Sequence, residues 1–393
     1  MYRKFKADHL FTGTEMLGGN NVLITKNYGE VEGIIDEKDA GDVESFKGII
    51  SPGFINAHCH LELSHMKGLV PEKTGLVDFV FKVVNERHFP EEEILEAIEK
   101  GEDEMLANGI VAVGDICNNL LTLHQKQKER LSYYNFIEAS GWLPSLSQIR
   151  LERALNLHNQ FSILNSPLSI RTSIVPHAPY SVSEELWKLI QPYFKKKVVS
   201  IHNQETSFED ELFIYGTGDF VRMYEMMNID NSSHKPSNKS SLQTYFNKFS
   251  KAASVILVHN TFTKQEDIDY INEKSGEQLI SFCLCANANL YIEKALPPVE
   301  MLIQNDCNII LGTDSLASNR SLNLLDEIKT IQKNFPDISL EKMLQWATSN
   351  GAKALGFDNT LGSFEKGRKP GVVLIENAEE LNLTAASASK RIL

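Results

Sequence analysis

The chain has little of what builds secreted or membrane-spanning proteins. Cysteine is scarce, five in 393 residues, and an odd count spread along a long chain points to reduced thiols, not to a disulfide framework. No segment offers the ~18 consecutive apolar residues of a membrane span, and the opening MYRKFKADHLFTG is too charged for a signal peptide. Positive charge is in deficit: 39 Lys and Arg against 52 Asp and Glu leave a formal net charge of −13. Such a chain repels phosphate backbones and anionic lipid, and no basic stripe overrides the average. Nucleic acid and membrane are therefore not expected as partners, and a cytoplasmic location is. Disorder is excluded as well, because 42% hydrophobic and 23% charged residues is the balance of a globular chain with length for a large core and an accessory domain.

What the sequence does have is rhythm. Apolar runs that read as strands recur as GIISPGFINAHCH, IVAVGDI, LSYYNFIEASG, SIRTSIVPHAPYS, VVSIHNQET, SVILVHNTF, LISFCLCAN and NIILGTDS. Between them lie helix-periodic stretches such as EEEILEAIEKGEDEMLANG and KQEDIDYINEKSG. Strands alternating with helices predict an α/β chain, a (β/α)8 TIM barrel over residues 51–360. Residues 1–50 contain short strands with Gly-rich turns, and GSFEKGRKPGVVLIE, at the start of the tail 361–393, reads as a further strand pair; the two ends are expected to form one small β-sandwich domain. NIDNSSHKPSNKSS, around residues 230–240, reads either as a solvated insertion or as a lid.

Barrels of this kind place their chemistry at the C-terminal ends of the strands. His58 and His60 end the first predicted strand, His177 the fourth, His202 and Glu205 the fifth, His259 the sixth and Asp314 the eighth. Five of eleven histidines thus gather at strand mouths, whereas His9, His88, His124, His158 and His234 lie in charged or loop-like contexts. Alone, an HxH pair serves equally well as strand decoration, and Asp314 as a helix N-cap. Together, three imidazoles and a carboxylate converging from three strands suit zinc or ferrous iron, with one position left for water. Cys283 and Cys285 alternate along one strand and lack the partners of a zinc pair.

The motifs PGFINAHCHLE, HAPYS, HNQET, VHN and LGTDSLASN, in this order and spacing, resemble the amidohydrolase superfamily. Within it, the chain is most similar to the deaminase and chlorohydrolase group, and in the HLELS, SFEDELFIYGTGDF and TDSLASNRSLNLLDEI segments to aminofutalosine deaminases. The resemblance implies one divalent metal per chain, zinc first and iron second, held by His58, His60, His202 and Asp314. It further implies Glu205 as proton shuttle, His259 beside the activated water, Asp314 as proton acceptor and His177 as a substrate contact. Glu62, Ser64 and His65 are expected to line the pocket, with Glu62 serving equally as support for a ligand histidine. No lysine ends strand four, where two-metal relatives carry a bridging one, so a single metal is expected. Many relatives have a CPRSN-like turn after strand seven; this chain has CANAN, Cys285 to Asn289, and lacks that arginine. The expected activity is hydrolytic deamination of an aminated heterocycle, a purine nucleoside such as aminofutalosine. The alternatives are hydrolysis of a cyclic amide or halogenated ring, or a metal-loaded binding protein without turnover. A homodimer is the base-rate expectation.

Overall fold

The computed structural model describes residues 1–163 and 170–393, so Ser169, the first residue of the fourth predicted strand, lies outside the described residues. Each of the eight predicted runs contains a strand: β1 (Phe54–Cys59), β2 (Ile110–Cys117), β3 (Ser132–Ala139), β4 (Ile170–Pro176), β5 (Val198–Asn203), β6 (Ser254–His259), β7 (Leu279–Leu284) and β8 (Asn308–Leu311). All pair in parallel, as β1-β2-β3-β4 and β5-β6-β7-β8. β2 and β6 are buried at every residue, the condition of parallel strands covered on both faces. Helices supply the cover. In Glu91–Ala107, Ile94, Ile98 and Met105 face inward while Glu91, Glu92 and Glu93 occupy the first turn, where acidic side chains complement the helix dipole.

The expected closed barrel is not one continuous ladder among the described residues; it is two four-stranded half-sheets. A few backbone contacts mark the seams. His202 N donates to His177 O (3.0 Å) between β5 and the end of β4, and Thr313 N and Asp314 N donate to His58 O (3.0 and 3.1 Å) between β8 and β1. The reason at the second seam is local: β8 has only four residues, and the register of β1 against β2 shifts between Asn56 and Cys59.

The first predicted strand also divides. Ile49–Pro52 leaves the parallel system and pairs antiparallel with Val372–Glu379 and parallel with His9–Phe11, crossing the boundary expected at residue 50. Gly53 makes the division, because a Cβ there would lie 2.3 Å from Val111 Cγ1 and 2.6 Å from Pro370 O. The chain ends form a five-stranded and a four-stranded sheet. Between the sheets pack Phe5, Leu10, Leu23, Ile50 and Leu374, a sandwich core built from both ends. The C-terminal pair is Val372–Glu379 with Asn382–Arg391, so its second strand lies further along than expected. No helix among the described residues is long and apolar enough to cross a membrane.

Candidate metal centre and cavity

His58 and His60 sit two residues apart at the end of β1 and so share a side. Strand order then brings β5 and β8 to the same mouth. One ligand atom from each of His58, His60, His202 and Asp314 lies within 4.8 Å of all the others, and all four residues are buried. His60 Nε2 is 3.2 Å from His202 Nε2, and Asp314 Oδ1 is 3.4 Å from Nε2 of both His58 and His60. Neither ring nitrogen of His58 has a hydrogen-bond partner. A wholly buried, unpartnered imidazole is costly, and a cation at the centre of this N3O1 set removes that cost. His202 Nδ1 donates to His177 O (2.8 Å), leaving Nε2 to the cluster. Burial, then the neighbouring charge of His177, holds the His202 ring well below the usual histidine range, so the imidazole is neutral, as a ligand must be. The donor set therefore fits a divalent metal. Asp314 and His259 both have left-handed backbone, φ 57° and 74°, an unfavourable conformation for side-chain-bearing residues that collects at functional sites.

A cavity of about 570 Å³ opens from this cluster, within the size range of small-molecule sites. Glu205 lines it, buried, with Oε1 3.6 Å from His259 Nε2. Burial, followed by repulsion from Asp314, pushes its carboxyl well above the usual range. His259 Nδ1 bonds Asn289 Oδ1 (2.7 Å), which leaves Nε2 to face the cavity. That is what CANAN contributes: its last residue orients a histidine. Glu62 also lines the cavity; its Oε2 accepts from Asn118 N (3.0 Å) and Arg87 Nη2 lies 3.8 Å from Oε1. Its carboxyl is raised by burial to about 7, against the opposing pull of Arg87.

Two expectations need correction. Ser64 is not on the cavity: its hydroxyl donates to Leu61 O (2.8 Å) within a 3-10 turn that packs on Gly101. His65 is also turned away, with Nε2 3.0 Å from Arg87 O. The 230–240 segment is tied to the cavity wall, since Trp142 Nε1 donates to Asn231 Oδ1 (2.8 Å) and His234 packs on Trp142 and Phe213.

Glu138 is the residue the sequence reading missed. It lies on β3, one residue from the strand's end, and its Oε1 accepts from His177 Nδ1 at 2.7 Å. Burial opposes its charge, but the His177 ring beside it prevails and holds the carboxyl at about 2; in return, and against its own burial, His177 is raised. The signal was present: NFIEAS carries one acid in an otherwise apolar strand end. Asp115 of β2 was missed too. Fully buried, it pairs with Lys126 at 2.5 Å and accepts from Leu61 N (2.9 Å), so it supports the backbone immediately after His60. Three arginines, Arg87, Arg150 and Arg153, line the same cavity.

Parallel strands wrapped in helices, with three imidazoles and a carboxylate at one mouth and a buried acid beside them, define an α/β metal-dependent hydrolase. The chain belongs to the amidohydrolase family, matched over residues 49–391. It is 26% identical over 371 residues to a 5'-deoxyadenosine deaminase of Methanococcus aeolicus, covering 91% of this chain and 79% of that one. Its fold is similar to the crystal structure of Helicobacter pylori aminofutalosine deaminase in complex with methylthio-coformycin, with a TM-score of 0.81, 22% identity and all of both chains covered. An adenosine deaminase from Xanthomonas campestris with bound zinc matches with a TM-score of 0.70 and 20% identity over 95% of this chain and 84% of that one.

Proposed function

We propose that this protein is a zinc-dependent aminohydrolase that removes the exocyclic amino group of an adenosine-like nucleoside, aminofutalosine being the specific candidate. The observation that carries this reading is the position of Glu205, a buried acid on the cavity wall 3.6 Å from His259 and beside the His58, His60, His202 and Asp314 set. The names of the relatives support it, and the geometry gives each residue work. His58, His60, His202 and Asp314 would hold a divalent ion, which when bound would supply a water nucleophile at neutral pH. Asp314, whose carboxyl burial would raise but whose histidine neighbours hold well below the usual range, takes up the proton that water loses. His259, fixed through Asn289, orients the attacking water. Glu205, whose carboxyl is pushed well above the usual range by burial and then by Asp314, delivers its proton to the ring nitrogen next to the amino-bearing carbon. The resulting hydroxide adds to that carbon; the proton held by Asp314 then passes to the departing amino group and the hydroxyl proton of the adduct returns to Glu205, so the carbon–nitrogen bond breaks, ammonia leaves and both carboxyls are reset.

In the same reading the two half-sheets work as one (β/α)8 barrel over residues 51–360, with 1–50 and 361–393 as its accessory β domain, and the five free cysteines accord with a cytoplasmic setting. The test is a panel of aminopurine nucleosides, aminopyrimidines, chlorinated rings and cyclic amides on zinc-loaded protein of known metal content. Ammonia release from adenosine-like nucleosides is expected, with one zinc per chain. Release of chloride or ring opening without ammonia overturns the reading.

A further inference from the structure

We infer that Glu138 is a positioning residue that acts through His177, fixing which nitrogen of that ring meets the substrate. Its consequence for turnover rests on the function proposed above; its structural content does not. The starting point is a juxtaposition that resembles a second metal site: Glu138, His177 and His202 also bring ligand atoms within 4.8 Å of one another. Hydrogen bonds already account for those atoms. His202 Nδ1 lies 3.7 Å from Glu138 Oε1 but donates to His177 O at 2.8 Å, and His177 Nδ1 lies 2.7 Å from Glu138 Oε1. Both nitrogens are committed as donors, so neither offers a lone pair to a cation.

Exposure separates the roles. The His177 side chain is 27% exposed and that of Glu138 only 3%. The imidazole therefore meets whatever enters the cavity, while the carboxylate stands behind it. With a carboxylate oxygen on Nδ1, that nitrogen carries hydrogen, and Nε2 is the atom left to the cavity. Glu138 is itself held. Its Oε2 accepts from Asn118 Nδ2 (2.7 Å), and the backbone N of the same asparagine donates to Glu62 Oε2 (3.0 Å). Asn118 O in turn accepts from Arg153 Nη2 (3.0 Å). One hydrogen-bonded wall runs from the metal ligand His202 through His177, Glu138 and Asn118 to Glu62. Because Asn118 holds Oε2, Oε1 is fixed against His177 Nδ1 and the plane and tautomer of that ring are set before substrate arrives, which is the requirement for a precisely held site.

The experiment uses the full-length, zinc-loaded protein with nitrogen-15-labelled histidine. The Nδ1–H resonance of His177, assigned by its disappearance in His177→Ala, is expected in the wild type and absent from Glu138→Ala, with zinc content unchanged in both variants. In kinetics, Glu138→Ala should lower kcat/KM by about the factor His177→Ala does. The double variant should fall no more than about threefold below His177→Ala, because residues acting as one unit are non-additive. An unchanged Nδ1–H signal in Glu138→Ala, metal loss in that variant, or fully additive effects would each overturn the inference. If Glu138→Ala does not fold, Glu138→Gln decides: its amide oxygen still accepts, so retention of the Nδ1–H signal with partial activity supports the inference, and loss of the signal overturns it. The resonance requires no turnover, so failure of the proposed reaction and failure of this inference are distinguishable.

Discussion

Glu205 and Glu138 are buried acids on one cavity, yet their surroundings drive them in opposite directions. Glu205 has burial and Asp314 against its charge; Glu138 is buried too, but His177 stabilises the ionised form. A pair of acids pushed apart in this way divides proton donation from charge support. Glu205→Gln keeps the size and removes the transferable proton. Turnover is expected to fall by about 100-fold or more with metal content and thermal midpoint near wild type, checked by steady-state ammonia release and elemental analysis; near-normal turnover would remove Glu205 from the chemistry. Much at this scale was legible beforehand, because strand-end position and spacing are local properties: His58, His60, His202, Asp314, Glu205 and His259 do meet. Ser64 was misread for an equally local reason. The turn after His60 is a 3-10 segment, and its tight geometry directs the Ser64 hydroxyl back to Leu61 O.

Among the elements, the helix Ser147–Ile163 has the clearest bearing on specificity. It carries Arg150 and Arg153, three positions apart and thus on neighbouring faces, and both line the cavity together with Arg87. Under the proposed function, a guanidinium on this wall would suit a substrate that carries a carboxylate on its side arm; Arg87 lies 3.8 Å from Glu62 Oε1. Arg153 is engaged by Asn118 O, which leaves Arg150 as the better probe. Arg150→Ala is expected to raise KM by about 10-fold for a nucleoside with a carboxylate-bearing side arm. Its KM for adenosine and its kcat for both substrates should stay within about twofold. Equal loss on both substrates would assign Arg150 to general support of the wall. Sequence alone pointed elsewhere, to the missing arginine of CANAN. Whether a helical arginine reaches a strand mouth depends on how the helix packs on the sheet, which periodicity does not encode.

For the whole molecule, the metal set joins β1 of one half-sheet to β5 and β8 of the other, so an ion there bridges the two. Anything that binds only the folded state stabilises it, by ~4 kcal/mol at 1,000 times its dissociation constant. Removing the bound metal with a chelator is therefore expected to lower the thermal midpoint by several degrees, and adding zinc back to restore it, measured by differential scanning calorimetry. His58→Ala should show a low midpoint that zinc does not raise; recovery with zinc in that variant would argue against His58 as a ligand. Spacing along the chain sufficed for the eight parallel strands, the β elements at both ends and the imidazoles at the mouths, because alternation and strand ends are properties of neighbouring residues. Only packing across long separations decided the rest. It gave Glu138 to His177 across 39 positions and Ile49–Pro52 to the end sheet instead of the parallel one. Those partners are chosen by strand order and by which side chains fill one another's space, and neither is written in any local pattern.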